Sequence, residues 1–362
     1  HKPAFHLEDL DGGPLTVRPI HTPGHTPEHM SYLVLIEGEP IAVFSGGSLL
    51  VGAAGRPDLL GFDRAEQLAR LQYISVNRLA ELPDDVGLYP THGEGSFCTA
   101  TGAGKSTSTI GAEKLDNPVL HYSDADAFVK GQLGGLQPYP DYYAHMGPIN
   151  LMGPTPLAQA TVPELAAGAV PADAAIVDMR PRGAFAAGHI PGSIGIEYGD
   201  QVGVWAGWLL PFDQPIVLVA DHGQDVAEAV AQFGRIGFDH VVGVMYDVAA
   251  WAELNGPLAT YQQESAKQLA ARIASGEEVQ VVDVRAPNEW EASRVDGSLW
   301  RYVPDLRDGM PDGLDPDREV HLICRTGNRA TIASSLVLQE GFIPVVVAEG
   351  GVAEVLAELN AG

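Results

Sequence analysis

Short apolar runs rich in β-branched residues alternate with helix-spaced stretches through the C-terminal half of the chain. QVVDVR, EWEAS, VHLIC, TIASSLVLQ and PVVVAE follow one another in this way. The alternation predicts a parallel sheet with helices on both faces, where ligands gather at the carboxyl ends of the strands. The clearest element is PDREVHLICRTGNRATIAS at 316–334. EVHLIC has the length and branching of a buried strand. It ends at Cys324, and the turn Arg325-Thr326-Gly327-Asn328-Arg329 follows. The next stretch, ATIASSLVLQEG, places Ile332, Leu336 and Leu338 at helical spacing and stops at Gly341.

Residues 13–50 read as hairpin-like strands, PLTVRPI, SYLVLIEG and PIAVFSGG. A helix at about 63–82 and a strand, VGLYPT, come next. Residues 131–156, GQLGGLQPYPDYYAHMGPINLMGPTP, have neither period. They read as an ordered linker packed by Tyr139, Tyr142 and Tyr143.

The pattern occurs twice. Ile176-Val-Asp-Met-Arg180 matches Val281-Val-Asp-Val-Arg285, and Gly192-Ser193 matches Gly297-Ser298, both displaced by 105 residues. Leu218-Val219-Ala220 matches Leu322-Ile323-Cys324, Gly223 matches Gly327, and Gly237-Phe238 matches Gly341-Phe342, all displaced by 104. The expected organisation is an N-terminal domain over 1–130, the linker over 131–156, and two repeats over 157–256 and 260–362.

The chain has 362 residues, enough for two or three domains that each bury a core. Its net charge is -26, from 21 basic and 47 acidic residues. Such a surface repels nucleic acid and anionic membranes, so neither is expected as a partner. No apolar run approaches the ~20 residues that span a bilayer. Two cysteines, Cys98 and Cys324, are too few for a disulfide framework, and a reducing, cytoplasmic compartment is expected. The chain opens HKPAFHLEDL, without an initiator Met or a signal-peptide pattern, so an N-terminal portion is expected to be missing. Whether the protein is a homo-oligomer is left open.

Cys324 carries the sharpest chemical signal. It is expected where a strand ends and a helix begins, and the free N–H groups and dipole of the helix stabilise an anion such as a thiolate there. Arg325 and Arg329 act in the same direction. The bland alternative is a small buried hydrophobe. A Gly-Asn turn between two guanidinium groups argues against that.

CRTGNRA preceded by VHLI resembles the active-site loop of a rhodanese, and VDMRPRGAFAAGHIPGS and VDVRAPNEWEASRVDGS resemble that family's first signature. The resemblance implies two rhodanese-like parallel-sheet α/β domains. It also implies that Cys324 takes up sulfur as a persulfide, cradled by the amides of Arg325, Thr326, Gly327, Asn328 and Arg329. Phosphatases of the same fold separate cysteine and arginine by five residues. Here the sixth residue after Cys324 is Ala330, and Arg329 follows the cysteine after only four intervening residues, one step too tight. In the first repeat Ala220 stands at the cysteine position, followed by Asp-His-Gly-Gln-Asp. That copy is expected to be inactive and structural, with His189 and His222 as packing residues.

In the N-terminal third, HTPGHTPEHMSYL, FSGGSLLVGAAGRPDLLG and LYPTHGEGSFC resemble the metallo-β-lactamase superfamily, in particular its glyoxalase II and persulfide dioxygenase branches. The resemblance implies an αββα sandwich whose N-terminal part is missing. It implies a metal held by His25 of the PGHT stretch, with His92 matching a ligand of the second metal in binuclear members. Gly47 stands where the family has an aspartate ligand, and the HxHxDH motif is absent. Fe(II) or Zn(II) is therefore expected only at an incomplete site, which Asp58 or Glu28 could complete; His29 reads as a packing residue. No cofactor is needed at Cys324. GAGKST at 102–107 lacks the first glycine of a P-loop, since position 99 is threonine, and Cys98 reads as a core or loop residue.

The expected function is sulfur transfer through a Cys324 persulfide, with small persulfides, thiosulfate and thiols as reactants. One alternative is an iron-dependent persulfide dioxygenase, turning glutathione persulfide into sulfite, coupled to a rhodanese. Another is a non-catalytic sulfur-sensing scaffold.

Overall fold

The computed structural model describes residues 3–92, 105–153, 156 and 161–361. Cys98 and the first half of GAGKST, 102–104, lie outside them. The chain divides into two compact units, His1–Pro138 and Tyr139–Gly362.

The first unit runs β1 (Leu10–Asp11), β2 (Leu15–His21), β3 (Met30–Ile36), β4 (Glu39–Gly46), β5 (Leu49–Leu50), β6 (Ala53–Ala54), α1 (Phe62–Ala80), β7 (Gly87–Pro90), β8 (Ser108–Thr109), α2 (Ile110–Asp116) and α3 (Ala125–Gly134). Six strands form one sheet in the order β1-β2-β3-β4-β7-β8, with β5 and β6 as a separate ribbon. The two-residue period of a strand sets the faces: Ser31, Leu33 and Leu35 of β3 are buried, and Tyr32 and Ile36 are exposed. α1 buries Ala65, Leu68, Ala69, Gln72, Val76 and Leu79, the three-and-four spacing of one helix face. Among the described residues this unit therefore has one large sheet of a sandwich, covered on one face.

The second unit begins with α4 (Tyr143–Met152). The first repeat follows with β9 (Ala175–Asp178), α5 (Arg182–Ala187), β10 (Ile194–Gly195), α6 (Val202–Leu209), β11 (Ile216–Val219), α7 (Val226–Arg235), β12 (Val241–Met245) and α8 (Val248–Asn255). The second has β13 (Gln262–Ser265), α9 (Ala266–Ala274), β14 (Gln280–Asp283), α10 (Pro287–Ala292), β15 (Leu299–Trp300), β16 (Glu319–Ile323), α11 (Asn328–Gln339), β17 (Ile343–Glu349) and α12 (Val352–Ala361).

The stretch expected to be an ordered linker packed by Tyr139, Tyr142 and Tyr143 is in part helical. α3 ends at Gly134 and α4 covers Tyr143–Met152 with Pro148 inside it. Tyr142, just before α4, is buried in the core of the second unit, so packing overrides a composition that reads as loop.

The internal repeat is a repeat of topology. The strand orders are β10-β9-β11-β12 and β15-β14-β16-β17-β13, all parallel. The second sheet adds only the edge strand β13. One apolar core runs through both copies, from Val177, Ile194 and Phe233 to Leu322, Ile332 and Leu336. α11 lies within it and buries Ala330 through Val337 without a solvent face. Its polar side chains are satisfied: Thr331 Oγ1 donates to Gly327 O (3.0 Å), Ser334 Oγ to Thr331 O (2.7 Å), and Ser335 Oγ accepts from Gly195 N of the first repeat (3.0 Å). Each large apolar side chain so buried contributes about 1.5–3 kcal/mol.

Candidate functional site

Both repeats close the carboxyl end of their first central strand with the same device. Asp178 and Asp283 are fully buried, and each accepts from the backbone N–H and the guanidinium of the arginine two residues on. The shortest contacts are 2.6 Å in both. Each guanidinium also donates to a backbone carbonyl, of Gly188 or Ser293. The shared VDxR signature is thus an internally neutralised scaffold, identical in both copies.

Cys324 follows β16, flanked by β14 and β17, at the N-terminus of α11. It is buried, 1% exposed, and its Sγ accepts a hydrogen bond from Gly327 N–H at 3.1 Å. Gly327 has φ 87°, left-handed, and a Cβ there would come within 2.6 Å of Arg182 Nη1 and 2.7 Å of Ala348 O. Only glycine fits. The carbonyl of Cys324 is itself held by Val352 N–H at the start of α12 (3.1 Å). The residue is therefore fixed at both its backbone and its sulfur.

The five turn residues have separate situations. Arg325, Thr326 and Asn328 are exposed, and Gly327 is buried. Arg329 is half-buried and pairs with Glu289 of α10, donating to Oε1 at 2.9 Å and also to Oε2. Burial works against its charge, but the bonds to Glu289, that carboxylate's charge and the proximity of Cys324 together raise its pKa. Burial likewise pushes Glu289 up, and the Arg329 hydrogen bond and charge overcome this and leave it lowered. Arg329 is thus a neutralised wall of the site, a pairing that the residue order along the turn does not reveal.

A guanidinium that sequence reading passed over also reaches the turn. Arg182, the first residue of α5 in the first repeat, donates from Nη1 to Thr326 O at 2.6 Å and from Nη2 to Asn328 Oδ1. Position 182 matches Pro287 in the other repeat.

In the first repeat Ala220 occupies the cysteine position, fully buried. His189 donates from Nδ1 to Phe185 O (2.8 Å) and stacks on the Phe185 ring (4.0 Å); burial lowers its pKa, against that backbone bond. His222 stacks on Tyr246 at 4.4 Å. His189 is buried and His222 is exposed.

In the first unit, His25 donates from Nδ1 to Arg56 O (2.9 Å), which leaves Nε2 with a free lone pair. Burial lowers the His25 pKa, the Arg56 bond opposes this, and the neighbouring His92 lowers it further. His29 engages both nitrogens: Nε2 accepts from Gly47 N–H (3.0 Å) and Nδ1 bonds Thr22 Oγ1 (3.0 Å). Burial, helped by the charge of His25, pushes it down to about 4. A Cβ at Gly47 would fall 2.3 Å from His25 Cδ2, so the imidazole lies where a side chain at 47 would begin. Asp58 is buried and holds Arg56 through both oxygens at 2.7 Å, and Glu28 is exposed. Among the described residues no three His, Cys, Asp or Glu side chains converge as a metal site requires. The residues described do not fit a mononuclear iron or zinc, and no chemical step is assigned to one.

The family model described as Rhodanese-like domain matches residues 161–254 and 265–358, over half of the chain. The chain belongs to the rhodanese-like family. It is also similar to a crystal structure of a metallo-beta-lactamase from Staphylococcus aureus, with a TM-score of 0.60 and 32% identity over 67% of this chain and 72% of that one. Among curated proteins it is 43% identical over 84 residues to a hydroxyacylglutathione hydrolase of Tolumonas auensis, covering 23% of this chain and 27% of the relative. It is 28% identical over 120 residues to a probable adenylyltransferase/sulfurtransferase, MoeZ, of Mycobacterium tuberculosis, covering 32% of this chain and 29% of the relative. The chain spans less than a third of the length of these two curated relatives. It is thus a fusion of a metallo-β-lactamase-fold part with two rhodanese-like domains. Among the described residues no helix is long and apolar enough to cross a membrane.

Proposed function

We propose that the protein is a sulfurtransferase whose acceptor of sulfane sulfur is Cys324. The observation that carries this reading is the Gly327 N–H aimed at Cys324 Sγ from 3.1 Å, at the N-terminus of a buried helix. Thiosulfate or a small persulfide is the donor. The Cys324 thiolate attacks the outer sulfur of thiosulfate, a new S–S bond forms, and sulfite leaves with the electron pair of the old one. The persulfide anion left on Cys324 is held by the turn amides and the α11 dipole. Cyanide or a thiolate then attacks the terminal sulfur, and Cys324 regains its electron pair. No metal enters the cycle. A chain of net charge -26 gives nucleic acid no role in it.

The first repeat is non-reactive in this reading, since Ala220 supplies no nucleophile. The domain limits 1–130, 157–256 and 260–362, with 131–156 between, remain part of the proposal. The experiment is thiosulfate:cyanide transfer by the full chain. Cys324→Ser is expected to abolish it and Ala220→Cys alone to leave it unchanged. Undiminished transfer by Cys324→Ser overturns the assignment.

A further inference from the structure

We infer that Arg182, supplied by the nucleophile-less first repeat, is a positioning residue for the Cys324 turn of the second. The inference rests on the sulfur-transfer reading above and extends it to a group outside the reactive domain.

The carbonyl of Thr326 and the N–H of Gly327 belong to one planar trans peptide and point in opposite directions. Arg182 Nη1 donates to that carbonyl at 2.6 Å, and the N–H on the other side donates to Cys324 Sγ at 3.1 Å. The guanidinium therefore grips, from behind, the peptide that contacts the sulfur. Two effects follow. A charged donor on the carbonyl polarises the amide and makes its N–H a stronger donor. It also opposes rotation of the Thr326–Gly327 peptide, which would turn the carbonyl oxygen toward the sulfur and repel a persulfide anion. Glycine, with a left-handed φ of 87°, offers little steric resistance to such a rotation by itself.

Arg182 is in turn held. Glu197 Oε2 accepts from its Nε (2.8 Å) and Nη2 (2.5 Å), and Nη2 also reaches Asn328 Oδ1. The second repeat cannot supply this group itself, because Pro287 stands at the matching position. The turn is thus completed by the repeat that performs no chemistry of its own.

The test uses the full chain with Arg182→Ala and Arg182→Lys. Thiosulfate:cyanide transfer, the Gly327 amide resonance in a 15N-labelled sample and the melting temperature are measured together. Arg182→Ala is expected to lower kcat about tenfold, less than the loss of a whole donor to the reacting anion, with KM for thiosulfate within about twofold of wild type. The Gly327 amide proton moves upfield and exchanges faster. Arg182→Lys, which keeps one charged donor, recovers part of kcat and part of the shift. A lower melting temperature with kcat and the Gly327 resonance unmoved would show that Arg182 only holds the repeats together, and would overturn the inference. A KM effect at unchanged kcat would overturn it too, by making Arg182 a substrate-binding group. If wild-type protein transfers no sulfur, the sulfur-transfer reading fails, and the Gly327 resonance still decides the Arg182 contact.

Discussion

Cys324 and Ala220 follow equivalent strands, β16 and β11, yet the turns after them are built differently. In the first repeat Asp225 caps α7 by accepting from Glu228 N–H (3.0 Å). Gln224 folds inward, accepting from Asp221 N–H (2.9 Å) and donating to Met179 O (2.7 Å). Gly223 N–H, the match of Gly327 N–H, goes to the Asp221 carbonyl (2.8 Å), and the helix starts at Val226. In the second repeat no side chain caps α11, which starts two matched positions earlier, and Gly327 N–H goes to sulfur instead. The same sheet order and the same buried Asp–Arg pair support both. The difference teaches that the scaffold is indifferent to the chemistry, which lies in one turn and in what holds that turn from behind.

The comparison can be broken by making the repeats exchange behaviour. The largest effect expected is functional: Cys324→Ser eliminates transfer, and Ala220→Cys does not restore it in that background, because the Gly223 N–H there is already taken by the Asp221 carbonyl. Transfer by the double variant would show that the nucleophile alone is sufficient. Next, Asp178→Ala and Asp283→Ala should each destabilise by about 3–5 kcal/mol, since each leaves a buried guanidinium without its carboxylate. Urea melts of the full chain would check this. A cost confined to one repeat would mean that the shared pair is not equivalent scaffolding.

Glycine sharpens the contrast further. Gly327→Ala puts a Cβ against Arg182 and Ala348 O at a left-handed φ, and about 1–3 kcal/mol of stability and most of the transfer should be lost. Gly223, its match, has nothing within 4 Å of a Cβ and no left-handed φ, so Gly223→Ala should stay within about 0.5 kcal/mol. Equal costs would remove the claim that only one turn demands glycine.

The smallest effect is a pH dependence. His189 is buried beside Phe185, and its counterpart Arg294 sits over the Trp290 ring at 5.3 Å. Burial lowers the His189 pKa, so below the ordinary histidine value of 6.5 the unfolded chain takes up a proton that the folded one refuses. Its contribution is therefore present above pH 6.5 and lost as pH falls. Between pH 7 and 5 the wild type should lose more melting temperature than His189→Gln does. Parallel curves for the two proteins would show that His189 has no part in the acid response.

Much of this was legible in the residue order. The strand ending at Cys324, the helix after it and the parallel sheets follow from periodicity and from the glycine stop at Gly341. Topological repetition follows from matched Val-Asp and Gly-Ser steps. Contacts between distant segments were not legible. Arg182 meets Thr326 across 144 positions, and Arg329 meets Glu289 across 40. Ser334 and Ser335 of α11 are buried, and Ser335 Oγ accepts from Gly195 N–H of the first repeat across 140 positions. Gly47 reads as a lost ligand, and the structure adds why no side chain fits: the His25 ring stands there.

The most direct test of the central claim is intact-protein and peptide mass spectrometry after incubation with thiosulfate. The expected result is a gain of one sulfur atom located on Cys324, removed by cyanide and absent in Cys324→Ser. A protein that transfers sulfur to cyanide while its Cys324 peptide never carries the added atom would contradict it.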